Sequence, residues 1–387
     1  MNDTETISYI KLCAIKEVGS ITAMRLIKHF GSPDAVFTAT KAELMQVEKI
    51  GEKMASSIIK NRELVDTSKI LDAINRIGAK YVSFKNTNYP QQLRSLPDKP
   101  IGFYSIGDVD FSAPAIAIVG SRNCTVYGQI TARRFASAFA QAGYTVVSGM
   151  ARGIDAMAHL GAIEAGGKTI AVLGSGVDVV YPPENMDLYQ KIISSGAVIS
   201  EFPMGTRADR QNFPIRNRIV AGLSLATLVI ESDIKGGSMI TARVAAEYGR
   251  DVFAIPGRID SPLSRGCNAL IRDGAILASS PEDIIDALNF AKPIQMTLFD
   301  SNQQEQNTAT IYHPQPLQQQ TQTANTPKLS QDEEIIFKII NRETSVHIDT
   351  ICELSGFEMK RCLPILLMLE IKRLILKDAG GNYSTRK

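Results

Sequence analysis

Residues 115–149 read AIAIVGSRNCTVYGQITARRFASAFAQAGYTVVSG, and this stretch decides the fold. Two short apolar runs, AIAIVG (115–120) and YTVVSG (144–149), flank the amphipathic segment GQITARRFASAFAQAG. An uninterrupted apolar run of this length, closed by glycine, marks a strand buried on both faces. Strand, helix and strand in that order make one parallel β-α-β unit. The pattern continues outward through TIAVLG (169–174), AVISEF (197–202), ATLVIE (226–231) and DVFAIP (251–256), with ITARVAAEYG leading into the last. The fold class predicted is α/β, a Rossmann-like, doubly wound parallel sheet.

Ligands of such sheets bind at the carboxyl ends of the strands. At those ends the chain places Gly120-Ser121-Arg122, Gly149 followed by Arg152, and Gly174-Ser175-Gly176. Further on come Arg210, Phe213, Arg216 and Arg218, and then Lys235-Gly236-Gly237-Ser238 with Thr241 opening a helix. Glycines admit close approach of a phosphate, and a helix start offers unpaired N–H groups and the positive end of a dipole. Guanidinium groups add permanently charged, two-pronged clamps. GSRNCTVYG lacks the spacing GxGxxG, and no P-loop is present. So many arginines suit several phosphates in series better than one pyrophosphate. Plainer roles stand beside these. Gly120 and Gly149 serve either phosphate approach or a tight turn. Arg122 either faces a ligand or pairs with an acid such as Glu231. Arg216 and Arg218, two apart, do not share a helix face, so one faces the pocket while the other pairs internally. Phe213 is either core or a platform for a base.

The 387 residues allow several domains at roughly 100–200 residues each. Hydrophobic content of 44 % supports a sizeable core. With 42 Lys and Arg against 40 Asp and Glu, the net charge of +2 excludes a polycation, so a nucleic-acid surface must come from local clustering. Cys13, Cys124, Cys267, Cys352 and Cys362 form no CxxC pair, so neither a zinc site nor a disulfide framework is expected. MNDTETISYIKL lacks the basic and apolar regions of a signal peptide, and no run is long enough to span a bilayer, so the cytoplasm is expected.

Four segments follow: a helical domain at 1–65, the core at 66–290, a flexible linker at 291–328 and a second helical domain at 329–387. The linker contains SNQQEQNTAT and PLQQQTQTANTP, with too little apolar surface to offset ordering. In the first segment Gly19 precedes Ala23 and Gly51 precedes Ala55, each at a helix start, as in two helix-hairpin-helix units. Such hairpins grip a phosphate through backbone N–H groups; a purely packing role is the alternative. The last segment, QDEEIIFKIINR, HIDTICELSG and FEMKRCLPILLMLEIKRL followed by LILKDAGG and NYST, has a winged-helix pattern. Pro364 is expected to interrupt its third helix, and contact with protein or with DNA are both open.

The stretches IAIVGSRNCTVYG, VVSGMARGIDAMAH, AVLGSGVDVVYPPEN, ISEFPMGT, NFPIRNRIVAGLS, VIESDIKGGSMITARVAAEYGRDVFAIPG and SRGCNALIRDGA resemble, in this order, the DNA-processing protein A (DprA or Smf) family. The resemblance covers most of residues 1–290 and, more loosely, 329–387. It implies a non-catalytic dimer that binds single-stranded DNA, protects incoming strands and delivers them to the RecA recombinase in natural transformation, with no cofactor. Carried over by motif, the DNA pocket would use Arg122, Arg210, Phe213 and Gly236–Ser238, and the dimer contact would lie in Cys267–Ala275.

The rival class is an enzyme. Lysine-decarboxylase-like phosphoribohydrolases share this core and carry PGGxGTxxE, whereas KGGSMITARVAAE keeps the Gly-Gly but reaches its first acid only at Glu247. A nucleotide sensor on the same core is a third reading. Separately, Gln295-Met296-Thr297-Leu298-Phe299 resembles the pentapeptide by which bacterial partners dock on the sliding clamp. The alternative is that Leu298 and Phe299 pack on the core.

Overall fold

The computed structural model describes residues 3–15, 18–290, 331–342, 346–357, 359–372, 374–377 and 382–385. The chain divides into two compact units, Met1–Thr297 and Leu298–Lys387. The tract 291–328, its pentapeptide at Gln295–Phe299 and the Gly380-Gly381 turn lie outside the described residues.

The first unit begins with six helices: α1 (Asp3–Ala14), α2 (Ser20–Phe30), α3 (Pro33–Thr38), α4 (Lys41–Leu44), α5 (Glu52–Arg62) and α6 (Thr67–Arg76). The two predicted hairpins are built alike. Gly19 and Gly51 cap α2 and α5 in nearly the same extended conformation, and neither helix start has a side-chain cap. Four residues on, Ala23 and Ala55 are both buried in the helical core.

The chain then enters the sheet with β1 (Lys80–Ser83), α7 (Gln91–Arg94) and β2 (Gly102–Gly107). The alternating part follows as β3 (Ala115–Gly120), α8 (Val126–Gln141), β4 (Thr145–Ser148), α9 (Ile154–Glu164), β5 (Thr169–Val172), α10 (Met186–Ser195) and β6 (Ala197–Ser200). It ends with α11 (Asn212–Leu223), β7 (Ala226–Ile230), α12 (Gly237–Glu247), β8 (Asp251–Ala254), α13 (Pro262–Arg272), β9 (Ile276–Leu277) and α14 (Pro281–Phe290). The nine strands lie in the order β1-β2-β6-β5-β4-β3-β7-β8-β9. Strands β3 to β9 pair in parallel, as their apolar runs predict. The β1–β2 edge is antiparallel, so the sheet is mixed. Only a one-turn helix separates these two strands, and a parallel return needs a full crossover.

Alternate residues of β3 feed opposite cores. Ala115, Ala117 and Val119 pack with Val220, Ala242 and Ala245 on one face, while Ile116 and Ile118 meet Phe135, Phe139 and Ala158 on the other. Within the second layer His159 is fully buried. Thr169 donates its hydroxyl to the Val146 carbonyl at 2.8 Å, so its oxygen accepts from His159 Nδ1–H at 2.7 Å. Nε2 is therefore unprotonated, and burial pulls the imidazole pKa from 6.5 down to about 3. Between those values the unfolded chain binds a proton that the folded chain refuses. Stability is full above pH 6.5 and falls with acidification, by up to about 1.4 kcal/mol per pH unit. His159→Asn, which keeps a donor to Thr169 without titrating, is expected to flatten the wild-type decline between pH 6.5 and 5. Urea midpoints across that window check it, and parallel declines would refute it.

The second unit holds α15 (Gln331–Arg342), β10 (Val346–His347), α16 (Ile348–Ser355), α17 (Met359–Ile371), β11 (Ile375–Lys377) and β12 (Asn382–Thr385). Three helices and a sheet ordered β10-β12-β11 form the expected winged helix. Its core is Ile336, Ile340, Ile351, Leu366 and Leu369. Pro364 does not interrupt α17, which runs through it. The Lys360 carbonyl that loses its partner belongs to an exposed residue, where solvent is at hand to take the missing bond. Arg361 pairs with Asp332 at 2.7 Å and Lys372 with Glu333 at 2.7 Å, so these cations neutralise the acidic start of α15.

Candidate nucleic-acid interface

Strand order reverses at β3, which has β4 on one side and β7 on the other. Helices leaving β3 and β7 diverge there, and the gap opens into a cavity of about 650 Å³. It is lined by Gly120, Ser121, Arg122 and Gly149, by Arg210, Phe213, Arg216 and Asn217, and by Gly236, Gly237, Ser238 and Thr241. Asp155, Tyr181, Ser232 and Asp233 complete its polar and aromatic lining.

Two glycines make the floor. A Cβ on Gly120 would stand 1.9 Å from the Ile230 carbonyl oxygen, because β3 and β7 are in register there. A Cβ on Gly149 would stand 2.5 Å from Arg216 Nη2. That guanidinium is buried: Nη1 donates to the Gly149 carbonyl at 2.7 Å and to the Val172 carbonyl, and Nε to Asn217 Oδ1 at 3.1 Å. Arg216 thus ties the ends of β4 and β5 together beneath the cavity. Burial pulls its pKa down to about 10, against the opposing pull of Asp155, so it stays charged at neutral pH. Asp155, in the first turn of α9, accepts from Gly149 N at 3.2 Å and Ala151 N at 3.4 Å. Burial raises its pKa, and Arg216 and the two N–H donors oppose the rise.

The far wall is the start of α12. Gly236 caps it in an extended conformation without a side-chain hydrogen bond; Met239 N donates back to the Gly236 carbonyl at 3.1 Å, which leaves the N–H groups of Gly237 and Ser238 to meet an anion. Ser238 is buried and donates to Ser232 Oγ at 2.7 Å, fixing the turn. Above the floor, Arg122 and Arg210 are exposed and make no ion pair among the described residues. Arg122 instead lies over Phe213, its guanidinium carbon 4.9 Å from the ring centroid. Glu231, the acid that could have claimed Arg122, accepts from Thr125 N at 2.7 Å and from Thr125 Oγ1 at the start of α8.

The structure thus gathers eleven of the predicted residues at one cavity: Gly120, Ser121, Arg122, Gly149, Arg210, Phe213, Arg216, Gly236, Gly237, Ser238 and Thr241. Three lie elsewhere. Arg152 is outside the lining and pairs with Glu184. Arg218 is only 8 % exposed, pairs with Glu201 and lies 3.8 Å from Asp98, at a different cavity. On a helix Arg218 points about 200° from Arg216. Lys235 is exposed and outside the lining. Sequence reasoning missed Tyr181 and Asn217. Tyr181 stands in the quoted stretch AVLGSGVDVVYPPEN, where a lone tyrosine before two prolines gave no sign that its loop returns to the rim.

The first hairpin is not free. Ser20, opening α2, donates to Glu201 Oε2 at 2.9 Å and accepts from Arg218 at 3.3 Å. A carboxylate at that helix start opposes a phosphate. The Gly51 turn of the second hairpin is exposed.

A Rossmann-like core with an arginine-lined cavity at its switch point, preceded in the chain by helix-hairpin-helix segments and followed by a winged helix, defines the class of protein. Residues 80–289 match the family described as DNA recombination-mediator protein A, residues 11–63 the helix-hairpin-helix motif and residues 320–381 the DprA winged helix domain. Protein Smf of Synechocystis sp. is 32 % identical over 405 residues that cover all of both chains. The X-ray structure of DNA processing protein A from Streptococcus pneumoniae superposes with a TM-score of 0.65 at 31 % identity, covering 74 % of this chain and 98 % of that one. A structure of DNA processing protein A from Helicobacter pylori, described for its single-stranded DNA binding mode, has a TM-score of 0.50 at 30 % identity over 55 % of this chain and 96 % of that one. The chain belongs to the DNA recombination-mediator protein A (DprA/Smf) family. Among the described residues, no helix is long and apolar enough to cross a membrane and no group of three or more His, Cys, Asp and Glu could hold a metal.

Proposed function

We propose that this protein binds single-stranded DNA without catalysis, protects it and hands it to the RecA recombinase during recombination, including natural transformation, in the cytoplasm. One observation carries the reading. Two exposed guanidinium groups, Arg122 and Arg210, converge with the open start of α12 and the Phe213 ring on one cavity. Phosphates need the first three, and a base of any identity can use the fourth. Gly120, Ser121, Gly149, Gly236, Gly237, Ser238 and Thr241 shape the backbone that the strand follows. The Helicobacter pylori relative, described as a single-stranded DNA binder, supports the same reading. Asp155 is held by two backbone N–H groups and faces Arg216, which makes it an organiser of the floor rather than a general base.

A dimer belongs to this reading. Cys267 itself is buried, but the chain emerges from Cys267–Ala275 into β9, where Ile276 and Leu277 are 44 % and 48 % exposed on an edge strand. Such an edge offers unpaired backbone groups and apolar side chains to a second copy. The core 66–290 supplies the main DNA groove, while the Gly51 hairpin and the winged helix extend contact to DNA or to protein.

A salt titration of the full chain with fluorescent oligo-dT tests the proposal. Three or four phosphate contacts give a slope of log K against log salt of about −2 to −3. Binding that is indifferent to salt, or abolished by equimolar mononucleotide, would overturn it.

A further inference from the structure

Tyr181 is a large aromatic residue left 42 % exposed at the rim of the cavity. Its ring centroid lies 5.7 Å from that of Phe213, with the planes tilted by 39°. The two rings are too close to admit a base between them, since a stacked base needs about 3.5 Å on each side. They form instead one aromatic pair at the cavity rim. Phe213 is also packed by Arg122 and by the Gly174 turn, where a Cβ would stand 3.0 Å from Phe213 Cδ1. Phe213 is thus only partly available, and Tyr181 presents the more open ring.

The loop bearing Tyr181 is tethered to the segment after β4. Asn185 Nδ2 donates to the Met150 carbonyl at 2.9 Å, and Arg152 pairs with Glu184. Both tethers lie within four residues of Tyr181. An ion pair between exposed side chains contributes little to global stability, but here it sets where one loop sits. The tethers account for Arg152, whose side chain the cavity does not use.

We propose that Tyr181 is a base-stacking residue of the DNA site, extending the platform of Phe213 so that two successive nucleotides stack, and that Arg152 and Glu184 position it. This rests on the single-stranded DNA reading. Stacking on one ring changes affinity by about 5- to 150-fold per base.

The chain has no tryptophan, which makes the test direct. In the full-length protein, Tyr181→Ala and Tyr181→Leu are each expected to weaken oligo-dT binding by about 5-fold or more, while Tyr181→Phe retains it. The fluorescence of Tyr181→Trp, then the sole tryptophan, is expected to be quenched on saturation with oligo-dT. Arg152→Ala is expected to weaken binding in the wild-type background and to add nothing in the Tyr181→Ala background. A leucine variant that binds like wild type, or a tryptophan signal unmoved at saturation, would overturn the proposal. So would an Arg152 effect undiminished without the tyrosine, because Arg152 would then be meeting phosphate itself. If wild type fails to bind oligo-dT by anisotropy, the single-stranded DNA reading fails first and takes this proposal with it. That result is separately visible.

Discussion

Arg122→Ala combined with Arg210→Ala is expected to weaken binding to every single-stranded sequence alike, by roughly 10²- to 10⁴-fold at low salt, taking about 1.5–3 kcal/mol for each charged hydrogen bond to phosphate. Both side chains are exposed and make no ion pair among the described residues, so their removal leaves nothing unpaired in the fold. The unfolding midpoint should hardly move. The salt slope should fall by about 0.7 for each phosphate that the variant no longer neutralises. Anisotropy titrations of oligo-dT and a mixed-sequence oligomer at several salt concentrations check all of this. A double variant that folds normally and binds with unchanged affinity would place the DNA elsewhere on the molecule.

Arg216→Ala should behave in the opposite way, chiefly as a stability defect of about 3–5 kcal/mol. Its guanidinium is buried, holds the Gly149 and Val172 carbonyls and faces Asp155. Removing it strands two carbonyls and leaves a buried carboxylate without its countercharge, and each stranded group carries a desolvation penalty. Urea denaturation should show a lower midpoint with an unchanged slope. If stability is intact while DNA binding is lost, Arg216 is a ligand of the strand and not a brace beneath it. Arg122 and Arg216 thus stand within one cavity with different work, decided by exposure rather than by residue type.

Much of this was legible in the chain itself. Six apolar runs of four to six residues, separated by amphipathic segments, specify parallel buried strands because no other element leaves both faces so uniformly apolar. The hairpin glycines and the small residues four positions later are equally local signals. The antiparallel β1–β2 edge was less visible, since its strands carry no crossover helix between them. Pro364 was misjudged because a proline's cost depends on whether the carbonyl it frees can reach water, and exposure is not written in the sequence.

Local chemistry therefore settled the six central strands and the helices between them, and that glycines and arginines crowd the carboxyl rim. Tertiary structure alone decided which arginines are free. Arg152, Arg216 and Arg218 meet Glu184, two strand-end carbonyls and Glu201, partners brought close only by folding. It also turned Met150 and Glu231 to left-handed φ values of 55° and 49°, which side-chain type disfavours and only the surrounding packing can hold. A residue's type sets what it can bind, but its availability depends on neighbours distant in the chain, and pairing over such distances leaves no periodic mark in the sequence.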